Sequence, residues 1–347
     1  MGTGVANYKI KLNGSPLSKE YFNSVEVVSI EDEINLPVMF NVKLNLMDNK
    51  SGNIHGIDLK AFKPGDKVSI SMGLDDVAPM VSGEITSIEV NLGEHSVVEL
   101  RGYDMLHRLR MGTRSKAFIK KKDSEIAAEI AKEHGLTIQA DETKTVYPFI
   151  FQNNQSNYEF LLERAARIDY EVYVEDKKLY FVKSRSQKAP KLKDLVYKKD
   201  FDNLTLELRA LTRGSKVEVR GWDVKDKKEV SGEAKKGAET SKMGGKQSGF
   251  ELSVSSLGES PISIPAENLI DLNEAKSIAA AAYNSLIREF ISGEGKCWGN
   301  ELLRAGQTVK LMGIDDRFNG IYYIVSTVHT IDTNGYITTF KVKRAGI

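Results

Sequence analysis

His329 is the residue of this sequence that most resembles a catalytic base or a metal ligand. It lies in the alternating stretch 320–344, which is typical of two strands around a tight turn. If Asn334-Gly335 forms a two-residue turn, His329 pairs with Phe340 and shares a face with apolar side chains. We therefore interpret His329 as a packed wall residue, since a catalytic role requires partners from distant segments.

Two aspartate pairs and one cysteine are the next candidates for chemistry. Asp75-Asp76 and Asp315-Asp316 could ligate a cation, but neighbouring strand residues point to opposite faces and no third acidic ligand has calcium-loop spacing. Turn chemistry is the better interpretation of both pairs. Cys297 is the single cysteine, so an internal disulfide is excluded, and the five histidines show no zinc-ligand spacing. We expect no catalytic, metal or cofactor site.

Composition excludes several classes of function. The chain has 347 residues, a formal net charge of +1 and 28% charged residues, which gives no support to a general nucleic-acid or membrane-surface binder. No stretch approaches the roughly 20 apolar residues of a membrane span, and no secretory signal begins the sequence. We expect no nucleic-acid sequence recognition and no stable membrane insertion. A single cysteine fits assembly in a reducing compartment.

Alternating apolar residues dominate the first third of the chain. Segments 25–34, 38–47, 66–73 and 81–91 read as half-buried antiparallel strands separated by turn residues. We interpret residues 1–111 as an all-β unit, a small barrel or sandwich.

The middle of the chain changes period. Residues 121–135 predict a helix that ends at Gly135, and 155–170 predict a second helix that begins with the capping box Ser156–Glu159. A hairpin follows, so residues 112–187 form a predicted α/β insert. Such an insert also suits a peptidoglycan-binding or lytic module, in which Glu159 or Glu163 would be the candidate general acid. Both glutamates have the positions that helices normally give them, which favours the structural interpretation.

Residues 188–347 return to the strand pattern and form the third predicted unit. Within it, 231–262 is rich in Gly, Ser and Lys and predicts a long loop. That loop is either disordered or ordered by a partner subunit, with Lys235, Lys236, Lys242 and Lys246 as its candidate contacts. Residues 271–292 predict an external helix, with Asp271 as its cap and Gly293 as its stop.

Two parts of the chain resemble each other. The segment PGDKVSISMGLDD (64–76) resembles AGQTVKLMGIDD (305–316), and in both a hairpin follows. Separately, ELRGYD (99–104) resembles EVRGWD (218–223). Together these matches predict two copies of one β module, with the insert between them. A cyclic trimer of such a chain would place six similar modules in one ring.

The motifs resemble a known family in three blocks that cover nearly the whole chain in order. The first block is RGYDMLHRL followed by FQNNQSNYEFLLERAARIDYEVYVEDKKLYF, the second is residues 217–234, and the third is the C-terminal β region. They resemble the late control gene D proteins of contractile phage tails and the N-terminal hub half of the valine-glycine-repeat spikes of type VI secretion. The matching positions are Gly102, Asp104, Leu106, Gln152, Asn154, Ser156, Phe160, Leu161, Leu179 and Phe181.

The resemblance implies a mainly β fold with an α+β insert, in which two tube-like β-barrel modules of similar topology accompany a small helix-containing α/β domain. It further implies a non-enzymatic baseplate hub: a homotrimer whose pseudo-sixfold ring joins the hexameric tail tube to the trimeric central spike, beside wedge or tape-measure components. Such a hub would assemble in the bacterial cytoplasm and become part of a virion tail or an extracellular contractile particle. The secretion spikes continue into an OB-fold and a needle, whereas this resemblance ends with the second module. A phage tail, tailocin or extracellular injection system is therefore the favoured setting.

Overall fold

The computed structural model describes residues 4–46, 59–223, 227–266 and 269–347. The architecture is mainly β with a small helical insert, so the predicted fold class is confirmed. Within the described ranges, no helix is long and apolar enough to span a membrane. The division of the chain at residues 111 and 187 remains a prediction, and the three regions are used below only to organise the description.

The described residues of the first region form one short α-helix and seven strands, in which apolar residues alternate. β4 shows the pattern most simply, because Phe40, Val42 and Leu44 are buried and the residues between them are not. The elements are β1 (Ala6–Leu12), β2 (Ser15–Pro16), α1 (Lys19–Asn23), β3 (Val25–Glu33), β4 (Met39–Asn45), β5 (Lys67–Leu74), β6 (Ala78–Asn91) and β7 (Val97–Asp104).

The insert has two α-helices, and at the start of each a glutamate accepts the backbone N–H of the N-cap residue: Glu125 from Lys122, and Glu159 from Ser156. Ser156 and Glu159 form the predicted capping box of the second helix. Phe118, Phe160 and Phe181 lie in the insert's own apolar core. The elements are β8 (Arg114–Lys121), α2 (Asp123–Glu133), β9 (Thr137–Ala140), β10 (Tyr147–Gln155), α3 (Asn157–Ala166), β11 (Tyr170–Glu175) and β12 (Lys178–Lys183).

The third region combines long strands with a small sheet that is covered by a helix. The elements are β13 (Leu195–Val196), β14 (Phe201–Leu208), β15 (Val217–Asp223), β16 (Lys228–Ala234), α4 (Gly249–Leu257), β17 (Ile262–Ala266), α5 (Leu272–Ile287), β18 (Ile291–Trp298), β19 (Thr308–Met312), β20 (Gly320–Asp332) and β21 (Gly335–Arg344). β15, β16 and β17 make the small sheet, on which α5 packs. Gly232 allows this close approach, since a Cβ there would lie 2.4 Å from the α5 backbone.

One sheet of 13 strands joins the first and third regions. Its order is β14-β18-β21-β20-β3-β4-β7-β6-β5-β1-β2. In addition, β19 pairs with β20, and β13 pairs with β19. The junction is the antiparallel pairing of β20 with β3, where His329 lies opposite Ile30. The two modules therefore do not form two separate barrels among the described residues; they share a continuous sheet.

The strands of the two modules correspond one to one. β5-β6-β7-β4-β3 in the first module matches β19-β20-β21-β18-β14 in the second, with every neighbouring pair antiparallel. Irregularities occur at equivalent places. The β6–β7 ladder shifts after Ile85 as the β20–β21 ladder shifts after Ile324, and the β3–β4 ladder shifts after Val25 as the β14–β18 ladder shifts after Phe201. Such bulges are specific features of a sheet, so their coincidence indicates one architecture used twice.

Backbone hydrogen bonds give the same correspondence. The Gly65 N–H donates to the Ile85 carbonyl and the Gly306 N–H donates to the Ile324 carbonyl, each at 2.8 Å. Both glycines have positive φ, +92° and +80°, which favours glycine at these positions. The predicted match of 64–76 with 305–316 is thus a true structural equivalence. The match of 99–104 with 218–223 is not, because β15 lies in the small sheet and β21 takes the place that corresponds to β7.

In the third region the expected long loop is wrong, and the expected helix is present but ends earlier than predicted. Residues 231–262 are not one long loop, because they include the end of β16, the whole of α4 and the start of β17. Ser248 and Glu251 form a capping box that begins α4, and Phe250 buries its ring in the core. The helix predicted over 271–292 ends at Ile287, and Gly293 lies inside β18, because residues from Ile291 onward pair with β14 and β21.

The register predicted for the C-terminal hairpin is displaced by two residues. Asp332 pairs with Gly335, so Thr333-Asn334 form the turn and His329 lies opposite Thr338. The Asp332 carboxylate accepts the Asn334 N–H at 2.7 Å, which stabilises the turn at Thr333-Asn334. Because side chains alternate with a period of two, the shift leaves His329 on the predicted face of the strand.

Buried carboxylates tie the insert to the third region. Glu171 of β11 accepts hydrogen bonds from the Arg185 Nε at 2.7 Å and from the Tyr323 hydroxyl of β20. Two further ion pairs link the insert to the ends of α5: Arg167 with Glu274, and Asp169 with Arg288. The insert is therefore held by directional polar contacts as well as by packing.

Candidate functional site

His329 is fully buried, so the prediction that it is a packed residue is confirmed. Its Nε2–H donates to the Leu303 carbonyl, and its Nδ1 accepts from the Tyr336 hydroxyl, both at 2.9 Å. Burial and the nearby Arg304 guanidinium lower the pKa of His329 to about 3. The ring is neutral, has both nitrogens occupied and contacts no solvent, which suits a structural role in the sheet.

His329 should make folding stability depend on pH. The unfolded chain binds this proton with a pKa of about 6.5, whereas the folded chain does so only near 3. The stabilisation is complete above pH 6.5 and declines as the pH falls toward 3, by about 2 kcal/mol between pH 7 and pH 5. We expect His329→Gln to flatten this part of the pH profile measured by denaturant unfolding. His95→Gln, at an exposed histidine, is the matched control, and an unchanged slope in His329→Gln would contradict the assignment.

The other chemical candidates have structural roles. Asp75 lies in a turn with φ +63° and accepts the Val5 N–H, and Asp315 accepts the Arg317 N–H. Burial raises the pKa of the Cys297 thiol to about 12, so it carries no thiolate near neutral pH. Across the described ranges, no group of three or more histidine, cysteine, aspartate or glutamate residues could hold a metal ion.

The two glutamates of the rival lytic hypothesis accept hydrogen bonds from residues that precede α3. Glu159 accepts both the N–H and the hydroxyl of Ser156, and these bonds lower its pKa. Glu163 accepts the Gln155 side-chain N–H at 2.8 Å. A glycosidase general acid requires a raised pKa, whereas the pKa of Glu159 is lowered.

Three of the four lysines proposed as partner contacts form ion pairs within the chain. Lys235 pairs with Glu233, while Lys236 and Lys242 both pair with Glu251. The Ser248 N–H, followed by these two lysines, lowers the pKa of Glu251 to about 2. Lys246 is exposed and donates nothing to these pairs; its carbonyl accepts from Lys242. A partner-contact role for these lysines stays a prediction.

The remaining candidate site is a pair of open strand edges. We name residues 86–92, the second half of β6 and the residue after it, the β6 edge, and residues 204–209 the β14 edge. β6 pairs with β5 only up to Glu84, and β14 pairs with β18 on one side only. In the part of the chain that the structure describes, neither edge has a strand on its other side. Open edges are strong templates for association.

Exposed apolar side chains lie along both edges. Val90 is 40% exposed and Leu92 is 68% exposed on the β6 edge, and Leu208 is 38% exposed on the β14 edge. On the face of the sheet opposite to Leu208, β14, β18 and β21 form a shallow depression. Polar residues such as Thr205, Glu294 and Lys341 line it. These edges could not be predicted from the sequence, because strand patterns do not reveal which edge remains unpaired.

A protein-family model described as the Alg8 N-terminal domain matches residues 2–333. The chain belongs to the Alg8 N-terminal domain family. No curated protein sequence matches the chain. The family description names no activity.

Solved structures share the fold over almost the whole chain. A 43 kDa tail protein of prophage MuSo2 from Shewanella oneidensis is 13% identical, with a TM-score of 0.73 and 98% coverage of both chains. A tail protein from Neisseria meningitidis MC58 is 11% identical, with a TM-score of 0.70, over 98% of this chain and 96% of that one.

A component of the type VI secretion system from E. coli is also similar, at 10% identity and a TM-score of 0.61, over 97% of this chain and 77% of that one. Its structure is described as similar to the bacteriophage T4 tail proteins gp27 and gp5. The predicted resemblance to phage tail proteins and type VI secretion proteins is therefore confirmed as a shared fold. At these identities the comparisons establish fold alone.

Proposed function

We propose that this chain is the structural hub of a contractile tail or injection-system baseplate. Three copies form a pseudo-sixfold ring, which joins a hexameric tail tube on one side to a trimeric central spike on the other. The role is geometric and involves no catalysis. Baseplate wedge or tape-measure components are further partners, and the ring is assembled in the bacterial cytoplasm before it becomes part of a tail or extracellular particle.

The observation that carries this proposal is the double use of one five-strand unit within a single sheet. Two equivalent units per chain give six units per trimer, so a threefold ring can match a sixfold tube. The fold shared with phage tail proteins supports the same reading. The neutral, buried His329 and the capping role of Glu159 support a non-catalytic protein.

The proposal is tested by reconstitution. The purified chain is mixed with the tail-tube protein and the spike protein encoded in the same genome, and the products are imaged by electron microscopy. We expect particles in which this chain separates tube from spike, and no such particles with a tube protein from an unrelated system. Failure to bind either protein contradicts the hub role. Lysis of bacterial cell wall by the chain alone, in a zymogram, contradicts the non-catalytic role.

A further inference from the structure

The pairing of β20 with β3 within one chain indicates which strand edges would pair between neighbouring chains. At the internal junction, residues 326–331 of β20 run antiparallel to residues 28–33 of β3, and His329 lies opposite Ile30. This contact joins the second module to the first. In a ring of repeated modules, the first module of one copy must meet the second module of the next in the same way.

The shared bulges fix which residues correspond. Counting from the bulge in β6 and in β20 places Val90 at the position of His329 and Glu89 at that of Val328. Counting from the bulge in β3 and in β14 places Leu206 at the position of Ile30. The β6 edge therefore corresponds to the buried half of β20, and the β14 edge corresponds to β3.

Burial differs sharply between the corresponding positions. Ile30 and His329 are fully buried at the internal junction. Val90, at the place of His329, is 40% exposed, and Leu206, at the place of Ile30, is only partly buried. Apolar side chains on the two open edges are therefore exposed at positions whose equivalents are buried at the β3–β20 junction. This is the pattern of a surface that another strand covers.

We propose that residues 87–92 of one copy pair antiparallel with residues 204–209 of the next, so that Val90 lies opposite Leu206. This inference rests on the proposed ring of three copies, and it adds the partner segment and its register. The occupant is a second copy of this chain because the corresponding contact already exists within each copy. Repeated around the ring, the pairing makes one closed sheet without open edges in this layer.

Charges on the polar face agree with this register. Glu89 would lie opposite Glu207, and each carboxylate already has an arginine of its own chain beside it: Arg101 at 3.4 Å from Glu89, and Arg209 at 3.2 Å from Glu207. Arg209 would also be the diagonal neighbour of Glu89, within reach of a long side chain. The two facing carboxylates therefore each have a guanidinium group within reach, and Arg101 is shared with Glu99, from which it lies 2.7 Å away.

The register predicts one cysteine pair that can cross-link. The Ile34 N–H donates to the Val325 carbonyl at 3.0 Å, so these two residues form a hydrogen-bonded pair. In an antiparallel ladder hydrogen-bonded and non-hydrogen-bonded pairs alternate, which makes Glu31 and Val328, three positions away, a non-hydrogen-bonded pair. Glu89 and Glu207 occupy the corresponding positions between copies. Their Cα atoms should be about 4.5 Å apart, within the roughly 4.4–6.8 Å that a disulfide spans.

The test is oxidation of the variant that carries Glu89→Cys and Glu207→Cys, followed by a non-reducing gel. We expect a ladder that ends at a covalent trimer, reversed by reductant. The matched control carries Glu89→Cys and Arg209→Cys, whose side chains would be displaced by about 7 Å along the strand, and it should not cross-link. Wild type controls for the native Cys297, which is buried.

The outcomes separate this inference from the proposed function. Cross-linking of the first variant alone supports the register. A trimer in light scattering that cross-links only in the control, or in neither variant, overturns the register and leaves the ring intact. A chain that remains monomeric overturns both.

Discussion

Replacement of Val90 with aspartate is expected to convert the trimer into monomers that remain folded. In the ring, the side chain at position 90 is covered by the neighbouring copy opposite Leu206, so the new carboxylate would be buried without a partner. A buried charge without a partner costs about 3–5 kcal/mol per junction, which corresponds to a roughly 100- to 4,000-fold weaker association. In the isolated chain Val90 is 40% exposed, so the fold itself loses little. Light scattering measures the oligomer and thermal unfolding measures the fold.

The control for this variant is Asn91→Asp. It introduces the same charge one residue further along the same strand, but on the polar face. We expect Asn91→Asp to remain trimeric at concentrations where Val90→Asp is monomeric. Trimers of equal stability in both variants would show that the β6 edge is not an interface between copies.

Replacement of Glu171 with alanine is expected to cause the largest loss of stability within one copy. The Glu171 side chain is nearly inaccessible and accepts bonds from Arg185 and from the Tyr323 hydroxyl, which is contributed by the third region. The truncation leaves the Arg185 guanidinium, whose side chain is only 15% exposed, without its carboxylate. Breaking one partner of such a pair typically costs about 3–5 kcal/mol, measured here as the free energy of unfolding in denaturant.

Glu142→Ala provides the matched comparison for that variant. Glu142 also pairs with a cation, Lys122, but its side chain is 81% exposed, so the loss should be too small to measure. Glu171→Gln keeps an acceptor for Arg185 and should fall between the two. Equal stability of Glu171→Ala and wild type would mean that the polar contacts do not hold the insert in place.

Local features of this fold could be predicted from sequence because short-range chemistry determines them. The capping box of Ser156 and Glu159 begins α3 as expected, and alternation correctly places His329 on a buried face. The hairpin register was wrong by two residues because the Asp332 carboxylate favours a turn one residue earlier than the Asn-Gly pair suggests. The helix α4 was missed although its own capping signal, Ser248 with Glu251, is present in the sequence.

The candidate interface could not be predicted, because it depends on pairing between distant segments. The segment match of 64–76 with 305–316 indicated a repeat, but it did not show that β3 and β20 pair across about 300 residues of chain. That contact decides which edges are already covered within a copy and which remain open. Only the sheet order and the matched bulges identify Val90 and Leu206 as the corresponding unpaired positions.

Three copies of this chain are expected to close into a ring with six equivalent β units. The most direct test combines the molar mass of the purified chain by light scattering with end-on class averages from electron microscopy. We predict three times the mass of one chain and six similar lobes around an open axial channel. A chain that stays monomeric at every concentration, or a particle with two copies or without a channel, would contradict the account.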